Sequence, residues 1–202
     1  FKFLNLYTTI NLSPMSIGTW LLTVFLGVSV LYAYTFLQRT AEPGDDEDRL
    51  RRALAWVSVP LGIAVAVYTG VLLGAMPSRP FWNSPVLALL FLLSSLSTGV
   101  AAIMLARALF GNGARDTAAD AGHESSGYIL TASDTLLIGF EIIAIFLFLM
   151  FAHLTVGDVK YAVSVILYGG SLATLFWIGV VLIGLVLPGL AEIHYVSKKL
   201  LK

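Results

Sequence analysis

The sequence predicts an all-α, polytopic transmembrane helix bundle, and three observations carry that reading. Hydrophobic residues make up 58% of the chain and charged ones only 12%, where a soluble domain carries about 25% charged residues. The charges are also bunched, so that residues 3–38, 53–78, 80–106 and 161–191 contain no Asp, Glu, Lys or Arg. A helix needs about 20 apolar residues to cross the hydrocarbon core of a bilayer, and each of these stretches is long enough. A fifth stretch, 134–156, is interrupted only by Asp134, Glu141 and His153. The natural surroundings are therefore a lipid bilayer, and with zero formal net charge nothing points to a nucleic acid partner.

Taken in order, the spans are expected at about 14–38, 53–76, 85–109, 134–156 and 168–193, as one transmembrane domain over 1–202. Ser13 is the candidate N-cap of the first, with Pro14 at the first helical position. The second stops at the prolines of "MPSRP", and "NSP" opens the third. The loop "QRTAEPGDDEDRLRR" reads as charged and solvated, and "GNGARDTAADAGHESSG" as a flexible polar connection. Residues 157–168 are expected in the membrane interface ahead of the last span. The sequence opens at Phe1 without a signal-peptide pattern and closes on the basic "VSKKLLK". It is therefore expected to be the middle of a larger protein with further spans.

Basic residues mark the cytoplasmic ends of membrane helices. Arg39, Arg49, Arg51 and Arg52 place the first loop inside, Arg107 and Arg115 the third, and Lys198, Lys199 and Lys202 the final flank. Only Lys2, Arg79 and Lys160 fall on the opposite side. Five alternating spans satisfy all of these placements and make "PSRPFWNSP" an external loop, with Tyr68 in the outer third of its helix.

Polar groups inside the spans are the candidates for chemistry. Gly62, Ala66, Gly70 and Gly74 recur every fourth residue, a small-residue stripe that permits close helix approach. Tyr68 lies two residues off that stripe, about 200° away around the helix. Its place near the interface also suits an aromatic-belt residue, as does that of Trp82. Asp134 and Glu141 are seven residues apart, nearly on one face and about 10 Å apart along the axis. Asp134 is expected at the cytoplasmic mouth, where capping and solvation are its simplest duties. Glu141 sits inside "LLIGFEIIAIFLF", where an ionisable group is costly and marks a proton relay, a paired charge or a hydrogen-bonded structural acid.

Several chemistries are disfavoured. The sequence has no cysteine, which removes disulfides, thiolate metal sites and a cysteine-held iron–sulfur cluster of its own. His123, His153 and His194 fall at different depths, so no pair is placed to hold haem. No two ligand residues stand at i, i+3 or i, i+4 within a span, so no metal site is expected.

The segments "SPMSIGTWLL", "VPLGIAVAVYTGVLLGAMPSRPFWNSPVLALLFLLSSLSTG", "DTLLIGFEI" and "FWIGVVLIGLVLP" resemble the polysulfide reductase membrane-subunit family (NrfD/PsrC-like proteins). The stretch from "YTG" through "PFWNSP" to "SSLSTG" is the most specific part. The resemblance implies an eight-span protein without haem, of which this chain holds the third to seventh spans. It further implies exchange of electrons between a membrane quinone, menaquinone or another, and an iron–sulfur subunit on the outer face. That subunit usually connects to a molybdopterin catalytic subunit, all at a prokaryotic cytoplasmic membrane.

In that family the "YTG" tyrosine helps bind the quinone head group, which assigns Tyr68. Trp82 and His153, at the same outer level, are the other candidate quinone-binding residues, and Arg79 and Asn83 are candidate partner contacts. Asp134 and Glu141 form a candidate proton path from the inner side. Two alternatives use the same residues differently: a secondary transporter or channel coupled through Glu141, or a purely structural anchor needing neither Tyr68 nor Glu141.

Overall fold

The computed structural model describes residues 7, 13–37, 45–76, 78–110, 117–170 and 172–200, with side chains for all but 45, 117–125 and 200. Arg39, Arg115, Lys2, Lys202, Pro77 and the side chain of His123 lie outside the described residues. Every described element is helical: α1 (Pro14–Leu37), α2 (Asp45–Gly74), α3 (Val86–Phe110), α4 (Thr117–Leu154), α5 (Asp158–Leu167), and a π-helical segment (Leu175–Val186) that continues into α6 (Leu187–Leu200). Five of these are long and apolar enough to cross a membrane, the fifth being the π segment together with α6.

The spans form an up-and-down series in which α1 packs on α2, α2 on α3, α3 on α4, and α4 on both α5 and α6. Side-chain register makes each neighbouring pair antiparallel. Gly18 meets Tyr68 and Gly62 meets Phe25, while at the far end Arg51 Nη2 donates to the Thr35 carbonyl at 2.8 Å. Gly70 lies against Ala88 and Gly74 against Ser84. Thr131 Oγ1 donates to Met104 Sδ at 3.6 Å, and Thr135 Oγ1 donates to Glu192 Oε2 at 3.2 Å. The C-terminal ends of α1, α3 and α6 and the N-terminal ends of α2 and α4 therefore share one end, the basic end. There Arg51 also lies over the Phe36 ring at 5.0 Å and Lys199 over the Tyr128 ring at 5.7 Å.

Local chemistry explains the boundaries. The Ser16 N–H donates to Ser13 Oγ at 3.3 Å, so Ser13 caps α1. α2 starts eight residues before the expected span, in the loop expected to be solvated. Its first turns are charged, with Arg51 near Glu47 at 3.9 Å and Asp48 at 3.8 Å, the i,i+4 and i,i+3 spacings that favour exposed helix.

The largest departure is α4, which begins at Thr117 inside the expected flexible connection. That segment contains alanines, strong helix formers that outweigh its scattered polar residues. At 38 residues, α4 is about 57 Å long, well beyond the thickness of a hydrocarbon core.

At the other end, Gly157 (φ 79°) and Gly169 (φ 97°) supply the left-handed conformations that bracket α5. α5 covers most of the segment expected at the interface. It buries Val159 and Val163 against Ala152 of α4, and Phe81 of the second loop packs on the same cluster. The Phe81 and Phe148 rings meet edge to face at 5.2 Å. Tyr168, Gly169, Gly170 and Leu172, expected to open the last span, instead lie in the turn after α5; Ala173 and Thr174 are already helical, and the π segment runs from Leu175. Its π winding is visible where the Leu187 N–H donates to the Leu182 carbonyl, an i→i−5 bond. Pro188 follows and brings no N–H to the turn.

Candidate functional site

Two places in the bundle gather polar side chains, one near each end. The first is around Tyr68, six residues before the end of α2. The close approach there depends on glycine: a Cβ at Gly18 of α1 would overlap the Tyr68 ring and its hydroxyl. Gly70, two residues on and on the far side of α2, makes the equivalent contact with the Ala88 backbone of α3. Tyr68 is half-buried, and among the described residues its hydroxyl has no hydrogen-bond partner. A half-buried phenol with a free O–H can donate to a carbonyl oxygen, so the residue present fits a quinone head group.

The other residues expected beside Tyr68 have separate surroundings. Trp82 is 42% exposed on the second loop, where its backbone N–H donates to the Arg79 carbonyl at 3.0 Å. Arg79 and Asn83 are exposed on the same loop. Asn83 lines a cavity of about 350 Å³ together with Gly70, Gly74, Ser84 and Ala88. Ser84, which nothing in the sequence singles out, is 3% exposed there and its Oγ is without a partner. His153 stands on α4 with its ring 6.1 Å from that of Tyr168, and its Nδ1 is buried without a partner. Tyr68 thus faces α1 and His153 faces the turn after α5.

The second place lies toward the basic end. Asp134 and Glu141 do share one cavity, of about 350 Å³, between α3, α4 and the last span. Asp134 is not at a wet mouth: it is 2% exposed and its Oδ1 has no hydrogen-bond partner. The reason is the early start of α4, which carries the helix on for 17 residues before Asp134.

The third acid in this cavity is Glu192 of α6. Thr135, the residue after Asp134, donates to it, and Asp134 lines the same cavity. Ser94, Ser97 and Thr98 of α3 line the same space, so the "SSLSTG" motif forms its hydroxyl-bearing wall, while Gly184 and Pro188 border it from the π segment and α6. Irregular backbone at membrane depth is tolerated where it lines such a cavity. In the sequence Glu192 is legible only as an acid one residue past an uncharged stretch. Matching its depth to Asp134 across two antiparallel spans is the signal that would find it.

Between α4 and the π segment lies a third cavity, of about 200 Å³ and wholly apolar, lined by Ile142, Phe146, Phe176 and Trp177 among others. None of these three cavities is lined by Tyr68, Trp82 or His153. Among the described residues no group of three or more His, Asp or Glu side chains is arranged to hold a metal ion.

Comparison with known proteins places this architecture. A family model described as "Polysulphide reductase, NrfD" matches residues 1–200. The C subunit of polysulfide reductase from Wolinella succinogenes is 37% identical over 140 residues, which is 69% of this sequence and 42% of that protein. Protein NrfD of Escherichia coli is 32% identical over 147 residues, 71% of this sequence and 43% of the relative. A protein NrfD homolog of Haemophilus influenzae is 34% identical over 144 residues, 70% and 42% respectively. The chain thus spans about two-fifths of the length of these curated relatives. No solved structure matches it. With five membrane-spanning helices and a family match over nearly its whole length, this chain belongs to the NrfD family of polysulphide reductase proteins and is a multi-pass protein of the prokaryotic cytoplasmic membrane.

Proposed function

We propose that this chain is the quinone-exchanging membrane part of a respiratory oxidoreductase complex. It passes electrons between menaquinone, or another quinone, and an iron–sulfur subunit on the outer face, with a molybdopterin catalytic subunit behind that one. The similarity to a polysulfide reductase subunit supports the class of reaction. The observation that carries the site is Tyr68, seated on Gly18 near the outer end of α2 with its hydroxyl free.

Reducing a quinone takes two electrons and two protons, and oxidising a quinol releases both. In this reading Tyr68 donates a hydrogen bond to a head-group oxygen, orienting the ring and stabilising negative charge there as electrons arrive. The exposed loop carrying Arg79, Trp82 and Asn83 follows α2 at the same end of the bundle. It is the part of this chain offered to an electron-transfer partner. His153 and Trp82 act at the rim of the quinone site and not on its oxygen atoms, in keeping with their separate neighbours. Protons travel through the cavity shared by Asp134 and Glu141, which favours proton movement over a bare anchoring role.

Tyr68→Phe tests the reading, because it removes one hydroxyl and leaves the ring against Gly18. Quinol-linked turnover of the assembled complex should fall by the equivalent of about 1–2 kcal/mol. Unchanged turnover and unchanged quinone affinity would return Tyr68 to the aromatic belt and leave the quinone site elsewhere.

A further inference from the structure

The cavity between α3, α4 and the last span contains an acid that binding at Tyr68 does not use. Asp134 is 2% exposed, lines the cavity, and has an Oδ1 with no partner. An ionised carboxylate without donors is strongly disfavoured at such a place. Its neighbour across the helix contact is Glu192, which accepts from Thr135, the residue after Asp134, at 3.2 Å and lines the same cavity.

Among the described residues, none that lines the cavity is basic. α3 contributes the hydroxyls of Ser94, Ser97 and Thr98, α4 contributes Glu141 beside Asp134, and α6 contributes Glu192. Among the described residues that line it nothing offsets a second negative charge, and two carboxyls facing one cavity in apolar surroundings hold a proton between them. That proton also provides the donor that the protein leaves out.

We propose that Asp134 and Glu192 form a one-proton carboxyl pair, loaded from the basic end and discharged toward Glu141. The inference rests on the quinone reading only for the use made of the proton. Asp134, Ile138 and Glu141 all line the cavity, on one face of α4, and the acids are about 10 Å apart along the helix. The space between them holds several water molecules by volume. The Thr98 hydroxyl beside it already donates to the Ser94 carbonyl at 2.7 Å, so its oxygen is left to accept from the cavity. One O–H bond breaks on the pair and one forms on water or Glu141; nothing is oxidised or reduced. Gly184, without a side chain, and Pro188, without an N–H, keep the opposite wall open.

Dicyclohexylcarbodiimide adds covalently to protonated carboxyls in apolar surroundings, and peptide mass spectrometry locates the adduct. In the complete complex in native membranes, the adduct should fall on Asp134 or Glu192, with never more than one on the pair. It should disappear in the double variant Asp134→Asn/Glu192→Gln, in a complex that still assembles with its full set of subunits. No adduct on either residue, adducts on both in one molecule, or labelling confined to Glu141 would overturn the proposal. Protection by sodium ions would overturn it too, by making the pair a cation site. Labelling does not depend on turnover, so the quinone reading fails separately: Tyr68→Phe should leave the adduct in place whatever it does to quinol oxidation.

Discussion

The two ends of this bundle handle polar groups in opposite ways. Around Tyr68 the helices approach so closely that glycine is required, at Gly18 against the phenol and at Gly70 against the Ala88 backbone. Each polar side chain there is singly placed: Tyr68 faces α1, Ser84 lies beneath its own loop, and His153 faces Tyr168. Toward the basic end the polar groups converge instead. The π winding, Gly184 and Pro188 leave a cavity into which three helices direct acids and hydroxyls. A close contact immobilises one group well, whereas irregular backbone beside a cavity suits a network of water and acids. A ligand held by one hydrogen bond suits the first arrangement, and a proton passed between groups suits the second.

Breaking the tight contact should have the largest effect. Gly70→Ala places a Cβ into the Ala88 backbone, which cannot rotate away. Overpacking of this kind costs about 1–3 kcal/mol. The variant complex should dissociate at a clearly lower temperature in detergent, while Gly99→Ala, where an added Cβ meets nothing, should not.

Gly18→Ala comes next and sharpens the comparison. Its Cβ meets a side chain, so the fold can survive if the Tyr68 ring moves. Quinol turnover should then fall about as far as in Tyr68→Phe, the equivalent of about 1–2 kcal/mol. The two changes together should cost little more than either alone, because they act on one contact. Additive losses in the double-mutant cycle would separate Gly18 from Tyr68.

At the other end, Asp134→Asn should stop charge movement in proteoliposomes at least as fully as Glu141→Gln. Asp134 is the more deeply buried of the two, so bulk water has no access to replace it. Membrane-potential generation that survives Asp134→Asn would remove the cavity from the proton path. The smallest effect is expected for Thr135→Val, which deletes one hydrogen bond to Glu192 and is worth about 0.5–1.5 kcal/mol. It should slow proton uptake without abolishing it, measured with a pH-sensitive dye on the same vesicles.

The distance over which each signal acts decides how much of the molecule is legible in its sequence. Uncharged stretches, the Ser13 and Pro14 start and the proline stop at "MPSRP" are local signals, and the corresponding helices lie where they direct. The start of α4 escapes such reading because polar residues between 117 and 127 suggest a loop, although alanines favour helix there. The start of the last span is displaced because nothing in "YGGSLAT" distinguishes membrane entry from a glycine turn. At the candidate site, Tyr68, Asp134 and Glu141 stand out as polar groups in apolar runs. Gly18 does not, since a glycine in such a run is ordinary until its neighbour is known.

The sequence by itself determined that the described residues include five helices able to cross the membrane, with their basic ends on one side. Apolar length and charge placement act on each helix separately, and the bilayer enforces both. Only the tertiary structure decided which polar groups meet. Asp134 and Glu192 are 58 residues apart in the sequence and become neighbours because antiparallel spans bring matching depths together. Gly18 and Tyr68 meet for the same reason at the other end. Depth is inscribed in one helix at a time, but the facing direction of a side chain depends on how two helices pack, and that is settled by steric fit between partners far apart in sequence.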